Sequence, residues 1–420
     1  MCSHAMDGLE NVRLAGFNQR ARTGITVTRL LQRYFSISHV TSGLVVVLVG
    51  YASSAAIVFQ AAEAAGATPE QISSWLWALG IGMGVTCIGL SWWLRTPILT
   101  AWSTPGAALL VTSLPGLPMS EAIGAFICTA LLILLTGVMG WFDRIMRAVP
   151  VSIASAMLAG VLLQFGVGVF EVLPSQPWLV GLMVLVFVLT RRWLPRFAVP
   201  LTLLAGLAIA FLQSSVDVHS IRLEWASPVW MAPTFSLSTL IGVSLPLYIV
   251  NMASQNMPGL AVLRANGYQT PASPLIGWTG LVGVLLAPFG GFSFNLAAIT
   301  AAICMSPEAD PDPARRYRAA IWAGVFYFCM GLLGATVVSL FAAFPRALIV
   351  TIAGLALVGT IAHSLLTSLT PERGRDAAFL TFLVTASGLS WQGIGSAFWG
   401  LVIGLAATWL SHDRSIRTGN

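Results

Sequence analysis

Apolar runs long enough to cross a hydrocarbon layer of about 30 Å recur along this chain, and no other feature limits its fold so severely. They lie near residues 38–60, 71–93, 120–141, 147–170, 178–191, 197–213, 236–256, 273–288, 318–341, 347–366, 374–390 and 393–410. With 57% of its 420 residues hydrophobic and 9% charged, the chain carries more apolar surface than one soluble core can hide. Lipid is the expected solvent for most of it, and the expected class is an all-α integral membrane protein.

Two further segments are apolar but interrupted. One spans 94–110 and holds Trp102-Ser103-Thr104-Pro105-Gly106-Ala107-Ala108; the other spans 285–300 and holds Phe292-Ser293-Phe294-Asn295-Leu296-Ala297-Ala298. In each, a Pro/Gly-rich extended run leads into a short apolar helix. Such a pair, at matching places in two halves, is the sequence pointer to a substrate site near the bilayer midplane. Counting both segments gives 14 spans.

The charges agree with that count. All 21 basic residues are arginine, and with the amino end inside, 19 fall on the cytoplasmic side; only Arg222 and Arg346 fall outside. An even number of spans leaves both termini cytoplasmic. The net charge of +6 then records topology, so a nucleic-acid partner is not expected. Residues 1–36 are polar and Arg-bearing without a cleavable signal, which marks a cytoplasmic tail, with a second tail at 412–420. The five cysteines show no metal or redox spacing and read as small apolar packing groups. No cofactor or metal is called for.

An internal repeat appears when residues 38–213 are laid over 236–410. Ala52-Ser53 meets Ala253-Ser254, Ser103, Ala107 and Ala108 meet Ser293, Ala297 and Ala298, and Ala148-Val149-Pro150 meets Ala343-Phe344-Pro345. Seven spans per half is an odd number, so the repeat is inverted: a 7+7 plan with segments 3 and 10 interrupted. The two short helices start from opposite sides, and their positive amino ends converge near the middle on a ready anion site.

The polar groups available there are uncharged. Thr100, Ser103 and Thr104 lie in the first break, Ser293 and Asn295 in the second. Helix capping accounts equally well for any one of them, and capping is compatible with ligand contact. Gly106, Gly290 and Gly291 let backbone approach a ligand, while Trp102, Phe292 and Phe294 either sandwich an aromatic ring or pack in the core. A second cluster, Tyr248, Asn251, Ser254, Gln255 and Asn256, is costly within an apolar span unless it faces a cavity or a partner helix. Asn251 and Gln255, four apart, are expected on one face. No Asp or Glu lies at mid-span depth, leaving His39 and His363 as the titratable candidates for proton coupling, alongside a proton carried on the substrate itself.

These residues resemble the benzoate/proton symporter (BenE) family. The run 245–264, from Leu245 through Tyr248, Asn251, Gln255, Pro258 and Gly259 to Arg264, is similar to its span 8 signature. The run 287–304, with the loop Pro311-Asp312-Pro313-Ala314-Arg315-Arg316-Tyr317, is similar to its span 10 signature. The resemblance covers residues 36–410 and implies a fold like the uracil and anion transporters. A core (substrate-binding) domain would take 37–143 and 236–341, spans 1–4 and 8–11; a gate domain would take 144–214 and 342–411, spans 5–7 and 12–14. It implies inward, elevator-type symport of benzoate or a related aromatic carboxylate with a proton across a bacterial inner membrane, and leaves open a homodimer through the gate domain. A carrier or passive channel for another small anion, or for a nucleobase-like solute, is the alternative on the same fold. An intramembrane enzyme has none of its residues here: neither a zinc motif nor paired Asp-rich motifs occur.

Overall fold

The computed structural model describes residues 36–142, 144, 150–216, 221–372, 374–391 and 394–417; the side chains of Arg196, Ile299 and 411–417 are outside the description, as is the amino-terminal tail expected over 1–36, save Ser36. Helix dominates. In chain order the elements are α1 (Ile37–Ala64), α2 (Pro69–Leu94), the two-residue strand β1 (Thr100–Ala101), α3 (Thr104–Ser113), α4 (Met119–Val138), α5 (Val151–Glu171), α6 (Pro177–Trp193) and α7 (Ala198–Leu212). The second half holds α8 (Leu237–Ala265), α9 (Ala272–Leu286), β2 (Asn295–Leu296), α10 (Ile299–Cys304), α11 (Tyr317–Leu332), α12 (Gly334–Ala343), α13 (Arg346–Leu369), α14 (Arg375–Ala386) and α15 (Ser396–Arg417). Among the described residues seven helices are long and apolar enough to cross a membrane, or eight if the bent pair α11–α12 counts as one. The protein is a predominantly helical, multi-pass membrane protein.

Two helices depart from the regular spans expected. The run 318–341 bends by 66° at Leu333, where Gly331 and Gly334 remove the side chains that would stiffen the turn. Helix α8 carries two π-helical stretches, Leu240–Ser244 and Met252–Asn256, on either side of Asn251. A π turn inserts a residue and rotates the remainder of the helix, so equal spacing in sequence no longer means an equal face. Asn251 is fully buried, whereas Gln255, four residues on, is half-buried.

Packing joins the halves. Helix α2 lies along α11, α4 along α9, and α5 along α13. Glycines permit the closest approaches: a Cβ at Gly80 would meet Gly331 Cα at 2.4 Å, and one at Gly137 would meet Gly277 N at 2.2 Å. Small residues at such crossings let helix backbones touch, which is how helices associate where lipid offers no hydrophobic drive. Before α8, residues 221–236 form an extended strap over α2, α4 and α12. Its Val229 N–H donates to Ser74 Oγ at 2.9 Å, Thr234 N–H to Ser120 O at 2.9 Å and Glu224 N–H to Thr336 Oγ1 at 3.0 Å.

Candidate substrate site

The two extended breaks pair with each other. Thr100 stands opposite Leu296 and Ala101 opposite Asn295 in an antiparallel ladder, and Ala297 N–H extends it to Leu99 O at 2.9 Å. Backbone this deep in an apolar body must find partners within the protein. Helix α2 supplies them for β1: Ser91 Oγ bonds Ile98 in both directions, at 2.9 and 3.1 Å, and Cys87 Sγ accepts Thr100 N–H at 3.1 Å. Trp102 Nε1 donates to Ser54 Oγ at 2.8 Å, and its ring meets Tyr51 edge-on at 4.8 Å.

Beyond the ladder each break behaves differently. Ser103, fully buried, caps α3 by accepting Gly106 N–H at 2.9 Å, with Pro105 in the first turn; Thr104 beside it is half-buried. Helix α10 begins only at Ile299, has six residues and no side-chain cap, so Ser293 and Asn295 do not serve it as capping groups. They are held instead by α8. Asn256 Oδ1 accepts Leu296 N–H at 3.0 Å, Asn256 Nδ2 donates to Asn295 Oδ1 at 2.9 Å, and Asn295 Nδ2 donates to Ser293 Oγ. Asn256 belongs to the polar cluster legible in the sequence, yet its role as the clamp on the second break was not; that needs the fold.

The remaining sequence candidates divide by surroundings. Asn251 is fully buried with neither amide atom bonded among the described residues, and the buried Tyr51 hydroxyl is likewise unpartnered. Buried polar atoms left bare cost about 1–3 kcal/mol each, so such groups mark places where a ligand or water supplies the missing partner. Tyr248 turns to α4, its hydroxyl 2.7 Å from Thr136 Oγ1, and Ser254 bonds back to Val250 O at 2.6 Å. Phe292 packs among Trp75 and Phe126, with centroids 6.1 Å from each. Phe294 fills the space over Gly82, where an added Cβ would lie 2.2 Å from its ring. Both rings are fully buried and act as core. A Cβ at Gly291 would come within 3.0 Å of Leu286, and one at Gly106 within 2.8 Å of Leu247 Cδ1.

The two histidines lie in unlike places. His39 is buried, and its Nε2 pairs with Asp310 Oδ2 at 2.8 Å, a partner on the loop after α10 that sequence spacing did not reveal. His363 is exposed on α13. An apolar groove of about 400 Å³ between α4 and α9, around Gly137 and Gly277, is lined by none of the site residues.

Comparison with known proteins decides the lineage. Residues 33–410 match the family described as Benzoate membrane transport protein (BenE). This chain belongs to the BenE family. It is 52% identical over 374 residues to the inner membrane protein YdcO of Escherichia coli (strain K12), covering 89% of this chain and 96% of that one. It is 38% identical over 382 residues to the benzoate membrane transport protein of Acinetobacter baylyi (strain ATCC 33305 / BD413 / ADP1), covering 91% and 97%. Its fold is similar to the transmembrane domain of the cyanobacterial bicarbonate transporter BicA, with TM-score 0.58 at 13% identity over 88% of this chain and 96% of that one. It is also similar to the murine anion transporter Slc26a9 in the inward-facing state, with TM-score 0.56 at 13% identity over 91% and 69%. The BenE member described here is a membrane transporter and not an enzyme.

Proposed function

We propose that this BenE member is a secondary active carrier that brings benzoate, or a related aromatic carboxylate, into the cell together with a proton across a bacterial inner membrane. The family and the names of its relatives point to that substrate and membrane. The observation that carries the reading is the junction of β1 and β2, which sets buried, uncharged hydroxyl and amide groups beside the amino end of α3 without a carboxylate of its own. An anion is favoured where fixed N–H and O–H dipoles meet in a dry setting, and it would be repelled by a resident Asp or Glu. Ser103, Ser293, Asn295, Asn251 and Tyr51 are the groups assigned to it.

The reading takes each strand–helix segment, and the bent pair α11–α12, as one span, which makes 14 with both termini inside. The partnering of α2 with α11 and of α4 with α9 exchanges under a 7+7 inverted repeat, and supports one. In the elevator motion proposed, the core (37–143 and 236–341) slides against the gate (144–214 and 342–411). Uptake of labelled benzoate into proteoliposomes under an imposed inward proton gradient tests the whole reading. Saturable accumulation above equilibrium supports it. Unsaturating flux that ignores the pH gradient would make the protein a passive anion channel.

A further inference from the structure

Resting on the carboxylate reading above, we infer that Asn256 is a positioning residue that leaves the hydroxyl hydrogen of Ser293 free for the ligand, and so sets the carrier's preference for a carboxylate over its neutral amide. The polarity of the network starts from a group whose direction is not in question. Leu296 N–H is a backbone donor, so the atom of Asn256 facing it at 3.0 Å must be the oxygen. Asn256 then presents its NH₂ to Asn295, whose oxygen accepts at 2.9 Å. Asn295 in turn presents its NH₂ to Ser293 Oγ. Every amide orientation in the chain is fixed by one backbone hydrogen, with no alternative flip.

The consequence falls on Ser293. Its oxygen already accepts one bond, and its own hydrogen has no acceptor among the bonds it makes, so the group it leaves unsatisfied is the O–H donor, beside one remaining lone pair. Ser103 reaches the same state by another route, because its oxygen accepts Gly106 N–H at 2.9 Å. Ser103 and Ser293 lie two residues beyond the pair of Ala101 with Asn295, one on each break. Each of the paired breaks therefore contributes one hydroxyl with an unspent hydrogen, both nine-tenths or more buried. A carboxylate has acceptors only and satisfies both hydrogens; the NH₂ of an amide can only use the second lone pair of a hydroxyl and leaves that buried O–H without an acceptor.

The test is a double-mutant cycle on the full-length protein, reading equilibrium binding of labelled benzoate and of benzamide. In Asn256→Asp the residue accepts at both oxygens, so Asn295 must turn its NH₂ towards it and its oxygen towards Ser293, which spends its hydrogen there. Benzoate affinity is expected to fall about tenfold or more, with a smaller change for benzamide. Ser293→Ala should fall comparably. The double variant should be little worse than either alone, since both remove the same donor. Additive losses would mean that the new charge acts at long range, and would overturn the inference, as would an unchanged benzoate-to-benzamide ratio in Asn256→Asp. Should Asn256→Asp fail to fold, Ser293→Ala and Ser293→Thr decide: the first must lose the preference and the second, keeping the hydroxyl, must restore it. If the wild type binds another carboxylate but not benzoate, the benzoate reading fails and the cycle is run on that acid. If it binds no carboxylate, both fall.

Discussion

At the scale of single residues, the tightest constraint is Gly290. Its φ of +96° lies in the left-handed region, and a Cβ there would sit 1.9 Å from Trp75 Cδ1. Gly290→Ala should therefore destabilise the protein by about 3 kcal/mol, combining backbone strain with overpacking, as read by thermal unfolding in detergent. Gly291→Val, which pushes against Leu286 from 3.0 Å, is expected to lower stability together with binding. Trp102→Phe removes the bond to Ser54 and should cost about 1 kcal/mol with the ring packing kept. The sequence announced this glycine pair and suggested ligand approach as its reason. What approaches Gly290 is Trp75, from a helix half a chain away, and no local pattern carries that information. Ser103 was legible both as a cap and as a site residue because capping is a local rule; the clamp by Asn256 is not local, and stayed hidden.

At the scale of elements, the loop between α10 and α11 is tied to the first turn of α1. Ser38 Oγ donates to Glu308 O and Ala309 O, and His39 meets Asp310. Within the loop, Arg316 closes the turn, Nε to Asp310 O at 2.8 Å and Nη1 to Met305 O at 2.7 Å. Partial burial works against the Asp310 carboxylate, but the Asp312 N–H, His39 and Arg315 outweigh it and hold the group below the usual carboxylate range. For an acid with a depressed value, the stabilisation is fully present above its ordinary pKa of about 3.9 and is lost as pH falls through the lower folded value. Thermal stability of the wild type should accordingly carry an extra loss below about pH 3.9, and Asp310→Asn should be less stable at pH 7 while lacking that acid step. Helix existence was legible from apolar length alone. The π-helical stretches of α8 and the bend at Leu333 were not, because apolar length carries no record of a local change in the hydrogen bonding or direction of a helix.

At the scale of the whole molecule, the apolar runs and the arginine bias outlined a membrane protein of many spans, and the two signatures placed it in its family, while the pairing of one break against the other could only be seen once folded. The exposed His363 offers a first check on coupling: His363→Gln should leave gradient-driven uptake within about twofold of wild type, as a surface substitution away from the site. The elevator motion is the larger claim, and the junction of α8 with the segment before α15 tests it. A Cβ at Gly242 would lie 3.6 Å from Ile394 Cβ, within the span a disulfide bridges, and the two residues fall in the proposed core and gate. In a background freed of the native cysteines, oxidising Gly242→Cys/Ile394→Cys should stop benzoate uptake, and reduction should restore it. The control is Gly168→Cys/Val350→Cys, which joins α5 to α13 inside the proposed gate, where an added Cβ lies 3.7 Å from Val350 Cγ1. That bond should leave uptake intact, because two helices that travel together lose nothing by being joined. Uptake that survives the first cross-link would mean that the substrate crosses without the core sliding past the gate, and the elevator would have to be abandoned for a local opening at the paired breaks.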